Sequence, residues 1–199
     1  VFIDSDYESL EPHVFAHVSG DKGLKSIFRS GCDFYSTIAI ATEKLDGASA
    51  FKKDSNYLGR KDKLTRQRAK DYALGVPYGL GAYGLSKLID VKEYEAKVLI
   101  ENYLNSYPQL KKWMDHTDDK VKKVGQVASE AGRIRHLEFA PEIWDKNGPI
   151  ILDGRKLWLK WNGSKKYEEK KEEARKIKKA LNNGKNFQIQ SLAASITNR

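Results

Sequence analysis

Apolar residues recur every three or four positions through most of this sequence, and this spacing limits the fold to one built mainly from helices. Leu10, Val14 and Val18 lie four apart, and a longer pattern of the same kind runs from Leu110 to Val124. Glycine, proline and aspartate residues separate these segments, as expected at the ends and starts of helices. The sequence therefore predicts short amphipathic helices joined by tight turns.

Two aspartates stand where helix N-caps are expected. Asp21 follows a Ser-Gly break and is predicted to cap a helix that runs through Phe28. Asp33 follows a second Ser-Gly break and is predicted to cap a helix that ends at about Thr42. Two further helices are predicted, over 65–78 and 91–104.

Strand patterns occur at two places. Val1–Asp6 is predicted to be a short strand. A β-hairpin is predicted over 149–161, because Asp153-Gly154 suits a type I′ turn and apolar residues alternate from Leu157 to Trp161. The predicted fold class is therefore mainly α with a short β component (α+β).

The last part of the chain returns to helical patterns. Tyr167–Leu181 is predicted to be a highly charged helix that ends at Asn182-Asn183-Gly184, and Phe187–Thr197 a final helix. The Lys and Glu residues between 165 and 179 are interpreted as a solvated helix face.

The composition favours a polyanionic partner. The chain has 199 residues, with 36 Lys and Arg against 27 Asp and Glu, and a net charge of +9. Nucleic acid is the usual partner of such a chain, although a basic soluble domain without this partner has the same composition. Cys32 is the single cysteine, which excludes a disulfide framework and a cysteine zinc site.

The same composition bears on location. No stretch reaches the roughly 20 apolar residues that cross a bilayer, so we expect no membrane partner and a cytoplasmic location. The chain begins without an initiator Met or a signal-peptide pattern, and we expect it to be a piece of a longer protein.

Acidic residues cluster around the junction between the first strand and the first helix. Asp4, Asp6, Glu8 and Glu11 lie within this junction. An aspartate at a strand end can hold Mg²⁺, which prefers a few carboxylates together with substrate phosphates. A solvated acidic turn that caps the next helix explains the same residues.

A basic stripe lies on the helix predicted over 65–78. Arg66, Lys70, Leu74 and Tyr78 are four apart and therefore follow one slowly turning face. Two cations followed by an apolar side chain and an aromatic ring can bind the phosphates, sugar and base of a nucleotide. The alternative is a solvated helix whose Lys and Arg stems cover the core.

Two segments together resemble a known family. The segment DYESLEPHVFAHVSGD (6–21) is similar to motif A of family A DNA polymerases, the bacterial polymerase I type, and the similarity continues to Asp33. The segment from Arg66 to Gly79 is similar to motif B, the fingers helix of that family. Smaller similarities occur at Tyr107-Pro108, at Gly132–Arg135 and at 188–190. The resemblance covers the chain except roughly 142–180.

The resemblance implies roles for residues in motif A and motif B. Asp6 is expected to be catalytic and to hold Mg²⁺ in a two-metal site. Glu11 is expected to be the steric gate that excludes a ribose 2′-OH. The nucleotide-binding residues of motif B are expected to be Arg66 and Lys70 at the triphosphate, with Leu74 and Tyr78 against the nucleotide and the nascent base pair.

The resemblance also implies partners. Asn186 and Gln190 are expected to face a DNA primer–template, and dNTPs are the expected substrates. The expected function is that of a fragment of a template-directed DNA polymerase, a nucleotidyltransferase of DNA replication. The remainder of the polymerase, its thumb and the palm hairpin with the third motif, is expected as a further partner.

The sequence departs from the family pattern in several places. Leu74 stands where the family typically has Phe or Tyr, and Pro77 is expected to kink the end of the fingers helix. The segment 142–180 is interpreted as an insertion that suggests a phage-like polymerase. The His-Asp dipeptide of the third motif does not occur before Arg199, so the metal site is expected to be incomplete and this fragment alone inactive.

Four segments follow from these assignments. They are a palm strand with motif A and the following helices (1–45), fingers helices with motif B (46–140), an inserted β-hairpin (141–165) and helices that return toward the palm (166–199).

Two other functions remain open from the sequence. One is a catalytically inactive nucleic-acid-binding module of polymerase ancestry, which needs only the basic surface. The other is a metal-dependent phosphohydrolase that uses Asp4 and Asp6, which leaves the basic helix without a role.

Overall fold

The computed structural model describes residues 7–137 and 139–198, and these residues are mainly helical with one small antiparallel sheet. The predicted fold class is confirmed. The chain divides into two compact units, the first ending at Met114 and the second beginning at Asp115. The strand predicted for Val1–Asp6 lies outside the described residues.

The first unit contains the short helices that the sequence predicts, together with short helices at 58–61 and 82–88 that it does not predict. They are α1 (Leu10–Ser19), α2 (Lys22–Ser30), α3 (Phe34–Glu43), α4 (Leu58–Lys61), α5 (Lys63–Gly75), α6 (Ala82–Leu88) and α7 (Glu93–Ser106). Helix α8 (Pro108–Val124) follows them.

Both predicted N-caps are confirmed. The Asp21 carboxylate accepts a hydrogen bond from Leu24 N at 3.1 Å, and that of Asp33 accepts one from Ser36 N at 2.9 Å. The second oxygen of Asp21 accepts hydrogen bonds from the N–H groups of Gln109 and Leu110 at the start of α8. One buried carboxylate thus satisfies the free N–H groups of two helices that are far apart in the sequence.

The core of the first unit forms where α3 packs against α5 and α7. Ile38 of α3, Tyr72 of α5 and Tyr103 of α7 are completely buried. The Tyr103 hydroxyl donates to the carbonyl of Ala73 at 3.3 Å, so its polar end is satisfied inside the core. This packing fixes the orientation of α5.

The second unit begins with the end of α8 and a short hairpin. Strands β1 (Gln126–Ala128) and β2 (Ile134–His136) pair antiparallel, with Val127 opposite Arg135. Three helices follow, α9 (Phe139–Ile151), α10 (Gly154–Trp161) and α11 (Lys166–Thr197). The core side chains are Val121, Val127, Leu137, Ala140, Ile177, Ala180 and Leu181.

The β-hairpin predicted over 149–161 is wrong, because these residues lie in α9, α10 and the turn between them. Asp153 is the N-cap of α10 and accepts hydrogen bonds from Arg155 N and Lys156 N. Leu157 and Trp161 are four apart and face the same side, toward Ile151. Leu159, which a strand would bury with them, is 66% exposed.

The helix end predicted at Asn182-Asn183-Gly184 is also wrong, since α11 continues for 32 residues to Thr197. Gly184 is buried in the middle of α11, and a Cβ built on it would lie 2.6 Å from Val121 Cγ2. The glycine therefore permits a close approach of α11 to α8 rather than a break in the helix.

No helix among residues 7–137 and 139–198 is both long enough and apolar enough to cross a membrane.

Candidate nucleotide and DNA sites

Helix α5 carries the two cations of the predicted nucleotide site. Asp62 caps its N-terminus by accepting a hydrogen bond from Thr65 N at 3.0 Å. Arg66 and Lys70 lie one turn apart and both contact the ring of Tyr35 on α3, with the Arg66 Cζ 5.4 Å and the Lys70 Nζ 5.9 Å from its centroid. A buried aromatic ring thus supports both cations.

Arg66 is also held by Asp33, the N-cap of α3. Its Nε donates to Asp33 Oδ2 at 2.8 Å, and its terminal nitrogen donates to Asp33 Oδ1 at 2.7 Å. Hydrogen bonds from the guanidinium to this carboxylate raise the pKa of Arg66 above its ordinary value. Arg66 is therefore fixed in place and keeps its charge.

The pKa of Asp33 lies below its ordinary value. Burial by itself raises it, but the hydrogen bonds from Arg66 and from the hydroxyl and N–H of Ser36 together outweigh burial. Asp33 is consequently ionised at neutral pH and forms an ion pair with Arg66.

Lys70 differs from Arg66 in its charge environment. Its side chain is exposed, and in the part of the chain that the structure describes it has no ion-pair partner. Lys70 is therefore the cation of this pair that is available to an anionic ligand.

The two cations open onto a cavity of about 530 Å³. Ser9 and His13, from the segment similar to motif A, line the same cavity as Arg66 and Lys70. At its edge Lys52 Nζ forms an ion pair with Glu8 Oε1 at 3.3 Å. The fold thus brings together the two segments that the sequence analysis assigned to one site.

Glu11 and Tyr78 form a second contact between these segments. Burial raises the pKa of Tyr78, and the nearby carboxylate of Glu11 raises it further. The Tyr78 hydroxyl is buried, and no group among the described residues has good hydrogen-bond geometry toward it. The predicted steric gate and the predicted base-pair contact are therefore neighbours.

The end of α5 differs from the prediction. The helix ends at Gly75, three residues before Tyr78, and Leu74 is half-buried in its last turn. Tyr78 N and Leu80 N both donate to the carbonyl of Gly75, at 3.1 and 2.9 Å. Because Pro77 has no N–H to continue the helix, the chain closes into a turn that carries Tyr78.

The expected catalytic and metal-binding residue, Asp6, lies outside the described residues. In the described ranges, 7–137 and 139–198, no group of three or more His, Cys, Asp and Glu side chains is placed to hold a metal ion. These residues do not form a metal site by themselves, and we assign none of them to Mg²⁺.

Asn186 and Gln190 lie one turn apart on α11 in the second unit. Gln190 is exposed, whereas the side-chain oxygen of Asn186 is buried and has no hydrogen-bond partner among the described residues. The adjacent Lys185 is almost completely buried and donates to Asp118 Oδ1 of α8 at 2.5 Å. This ion pair fixes the rotation of α11 against α8 next to Asn186.

Two residues beside the candidate nucleotide site are not predicted from the sequence. Asp33 was assigned to a helix cap and Tyr35 to no role, yet both contact Arg66. They lie more than 30 positions before it, and no local pattern links residues at that distance. The similarity to motif A that continues to Asp33 was the available signal.

Comparisons with known proteins identify the family of this chain. The family model for DNA polymerase family A matches residues 1–199. A thermostable DNA polymerase I from Thermus filiformis is 32% identical over 137 residues, which are 69% of this chain and 15% of that protein. DNA polymerase I from Streptococcus pneumoniae strain R6 is 30% identical over 150 residues, 74% of this chain and 15% of that protein. The chain thus matches a small part of the length of these relatives.

A solved structure has a similar fold. It is the POL domain of Pol1 from M. smegmatis in complex with DNA primer-template and dNTP, with a TM-score of 0.66 and 26% sequence identity. The similarity covers 96% of this chain and 27% of that chain. Because the family model matches every residue and the two predicted motifs meet at one cavity, this chain belongs to DNA polymerase family A.

Proposed function

We propose that this chain forms the fingers and part of the palm of a template-directed DNA polymerase and binds the incoming dNTP and the primer–template. The observation that carries the proposal is the position of Lys70, which is an exposed cation beside Arg66 at a cavity that both motifs line. The similar Pol1 domain, which is described with DNA primer-template and dNTP, supports these two ligands.

The two cations are suited to different parts of a triphosphate. Arg66 shares its charge with Asp33 and presents a guanidinium of fixed orientation. Lys70 has an ammonium without an ion-pair partner among the described residues, on a flexible stem that can adjust to the position of a phosphate. Charge-assisted hydrogen bonds to phosphate are about twice as strong as neutral ones. Because Arg66 is already paired with Asp33, Lys70 contributes most to the affinity for the triphosphate.

Glu11, Leu74 and Tyr78 complete the nucleotide site in this proposal. Glu11 occupies the space that a ribose 2′-OH would need. Its closeness to Tyr78 supports the placement of the sugar between motif A and motif B. Leu74 offers an apolar surface in the last turn of α5.

Asn186 and Gln190 contact the primer–template. The exposed amide of Gln190 supports this role, and Asn186 lies one turn before it on the same helix.

Nucleotidyl transfer by this proposed polymerase depends on Mg²⁺, with Asp6 as the residue of this chain that binds it. When bound, the metal activates the attacking oxygen and neutralises charge on the leaving phosphate. The remaining ligands and the thumb belong to the rest of the polymerase, so the 199-residue chain alone is expected to bind its ligands without extending a primer.

Binding of dNTP to the 199-residue chain tests the nucleotide site. Lys70→Ala is compared with Lys87→Ala, because the Lys87 Nζ also lies 5.9 Å from a tyrosine ring centroid, that of Tyr83, but is not at the cavity. We expect Lys70→Ala to weaken binding about tenfold, as for the loss of one charge-assisted contact, and Lys87→Ala to leave it unchanged.

Equal effects of the two substitutions would overturn the site. Binding of DNA without any binding of dNTP would instead support the nucleic-acid-binding module.

A further inference from the structure

A basic groove of about 640 Å³ lies in the second unit, outside the proposed nucleotide site. Four cations line it, Arg135 from β2 and Arg175, Lys176 and Lys179 from α11. We refer to these four residues and the cavity between them as the basic groove.

The charge of the basic groove is largely uncompensated. Glu172 is the acidic residue that lines it among those described, and it accepts a hydrogen bond from Arg175 at 3.2 Å. Lys176 and Lys179 are exposed and have no ion-pair partner within residues 7–137 and 139–198. On the same helix, by contrast, Lys171 forms an ion pair with Glu168 at 3.5 Å.

The groove also has apolar parts. Ile143 lines it and is half-buried, beside Leu137, which is buried in the core of the second unit. Arg135 lies over the Phe187 ring, with its Cζ 6.0 Å from the centroid. Cations beside an apolar surface can contact phosphates and the sugar or base of the same strand.

We propose that the basic groove binds single-stranded DNA. The cations match the phosphates of one strand, and the half-buried Ile143 offers an apolar contact to bases that are not paired. A duplex keeps its bases inside and would present phosphates alone. The inference rests on the proposed function, in which the strand is the unpaired template. It also gives a role to the charged part of α11, which the sequence alone indicates to be a solvated face.

The test removes two charges from the groove and compares the result with the same loss elsewhere on α11. Lys176→Gln/Lys179→Gln alters the groove. Lys171→Gln/Lys178→Gln removes two charges from a different face, because Lys176 and Lys178 project about 160° apart on a helix. Both pairs keep residues of good helix propensity. Binding of a labelled thymidine oligonucleotide of about 12 residues to the 199-residue chain is measured by fluorescence anisotropy, at about 50 and about 200 mM salt.

We expect the groove pair to weaken binding about tenfold at the lower salt concentration and the control pair less than about twofold. For a single strand, each phosphate contact contributes about 0.7 to the slope of log K against log salt concentration. The magnitude of this slope should therefore fall by about 1.4 in the variant with both groove lysines replaced. A matched blunt duplex should bind with little difference between the two pairs. Equal losses in both pairs, no loss in the groove pair, or no oligonucleotide binding by the wild-type chain would each overturn the inference.

Failure of the groove and failure of the proposed function give different results. If dNTP binding depends on Lys70 while the two lysine pairs behave alike, the groove inference is wrong and the nucleotide site stands. If the groove pair alone loses the oligonucleotide and no dNTP binds, the polymerase proposal is wrong and the groove stands.

Discussion

Arg66 and Asp33 form two parallel hydrogen bonds of 2.8 and 2.7 Å between a guanidinium and a carboxylate that caps another helix. The carboxylate also accepts hydrogen bonds from Ser36, so a single buried side chain determines both the start of α3 and the position of a cation on α5. The orientation of Arg66 therefore depends on a residue that has no expected contact with a nucleotide.

Asp33→Asn should lower the free energy of unfolding by about 2 kcal/mol, because it leaves the Arg66 charge without its partner. The loss is smaller than for a fully buried pair, since Arg66 is 29% exposed and water screens part of the interaction. Asn keeps the cap but loses the charge. Asp62→Asn is the control, since Asp62 also caps a helix and forms no ion pair among the described residues. Urea unfolding measures both variants, and similar losses in the two would show that the pair itself contributes nothing.

The same variant should change the pH dependence of stability. The pKa of Asp33 is lowered in the folded chain and about 3.9 in an unfolded one, so the pair stabilises fully above that value. Its contribution is lost as the pH falls through the folded-state pKa. Between about pH 5 and about pH 2 the wild type should therefore lose more stability than Asp33→Asn, in urea unfolding at each pH.

Tyr35→Leu should weaken dNTP binding by about threefold to fivefold, because it removes the ring that supports Arg66 and Lys70. Tyr35→Phe keeps the ring and should bind within about twofold of the wild type. Isothermal titration of dNTP into each chain gives the dissociation constants. Equal weakening by Phe and Leu would assign the effect to the hydroxyl.

Tyr78→Phe should change the free energy of unfolding by less than about 0.5 kcal/mol, since the buried hydroxyl that it removes has no hydrogen-bond partner among the described residues. Tyr103→Phe is the matched control and should cost about 1 kcal/mol, because the Tyr103 hydroxyl donates to Ala73. Thermal unfolding compares the two, and a larger cost at Tyr78 would indicate a hydrogen bond to Glu11.

Glu11→Ala in the complete polymerase should increase incorporation of ribonucleotides relative to deoxyribonucleotides, because the carboxylate near Tyr78 no longer occupies the space of a 2′-OH. Glu8→Ala, which removes an exposed carboxylate three residues earlier, should not. Single-nucleotide incorporation with both sugars measures the ratio, and unchanged selectivity in Glu11→Ala would refute the steric gate.

Gly184→Ala should destabilise the second unit by about 1–3 kcal/mol even though Ala favours a helix, because the added Cβ would lie 2.6 Å from Val121. Val121→Ala should recover part of this loss in a double-mutant cycle measured by thermal unfolding. Additive effects of the two substitutions would mean that α8 and α11 do not pack as closely as described.

Most helices of the first unit, though not α4 and α6, were predictable because local signals and packing agree there. Asp21 and Asp33 cap helices whose apolar faces are buried, and the glycines at 20 and 31 end helices with φ values of 68° and 72°. The meeting of Arg66 with Asp33 was not predictable, since tertiary packing alone brings them together.

The errors in the second unit have local causes. Asp153-Gly154 suits a hairpin turn and a helix start equally, and Leu157 and Trp161 fit both an alternating and a four-residue period. The packing of Leu157 and Trp161 with Ile151 favours the helix, and this contact is not visible in the local sequence. At Gly184 the sequence indicates the end of a helix. In the structure the helix continues, and the missing side chain allows close packing against Val121.

The unbroken course of α11 also restricts how the length of this chain can vary. One residue inserted between Lys179 and Gly184 would rotate the two parts of the helix by about 100° and shift them by about 1.5 Å, so Lys179 and Gly184 could not both keep their present contacts. Seven added residues complete nearly two turns and restore the faces. Single insertions and deletions near α11 should therefore be tolerated before it, at residues 162–165, where the chain passes between α10 and α11, rather than within it.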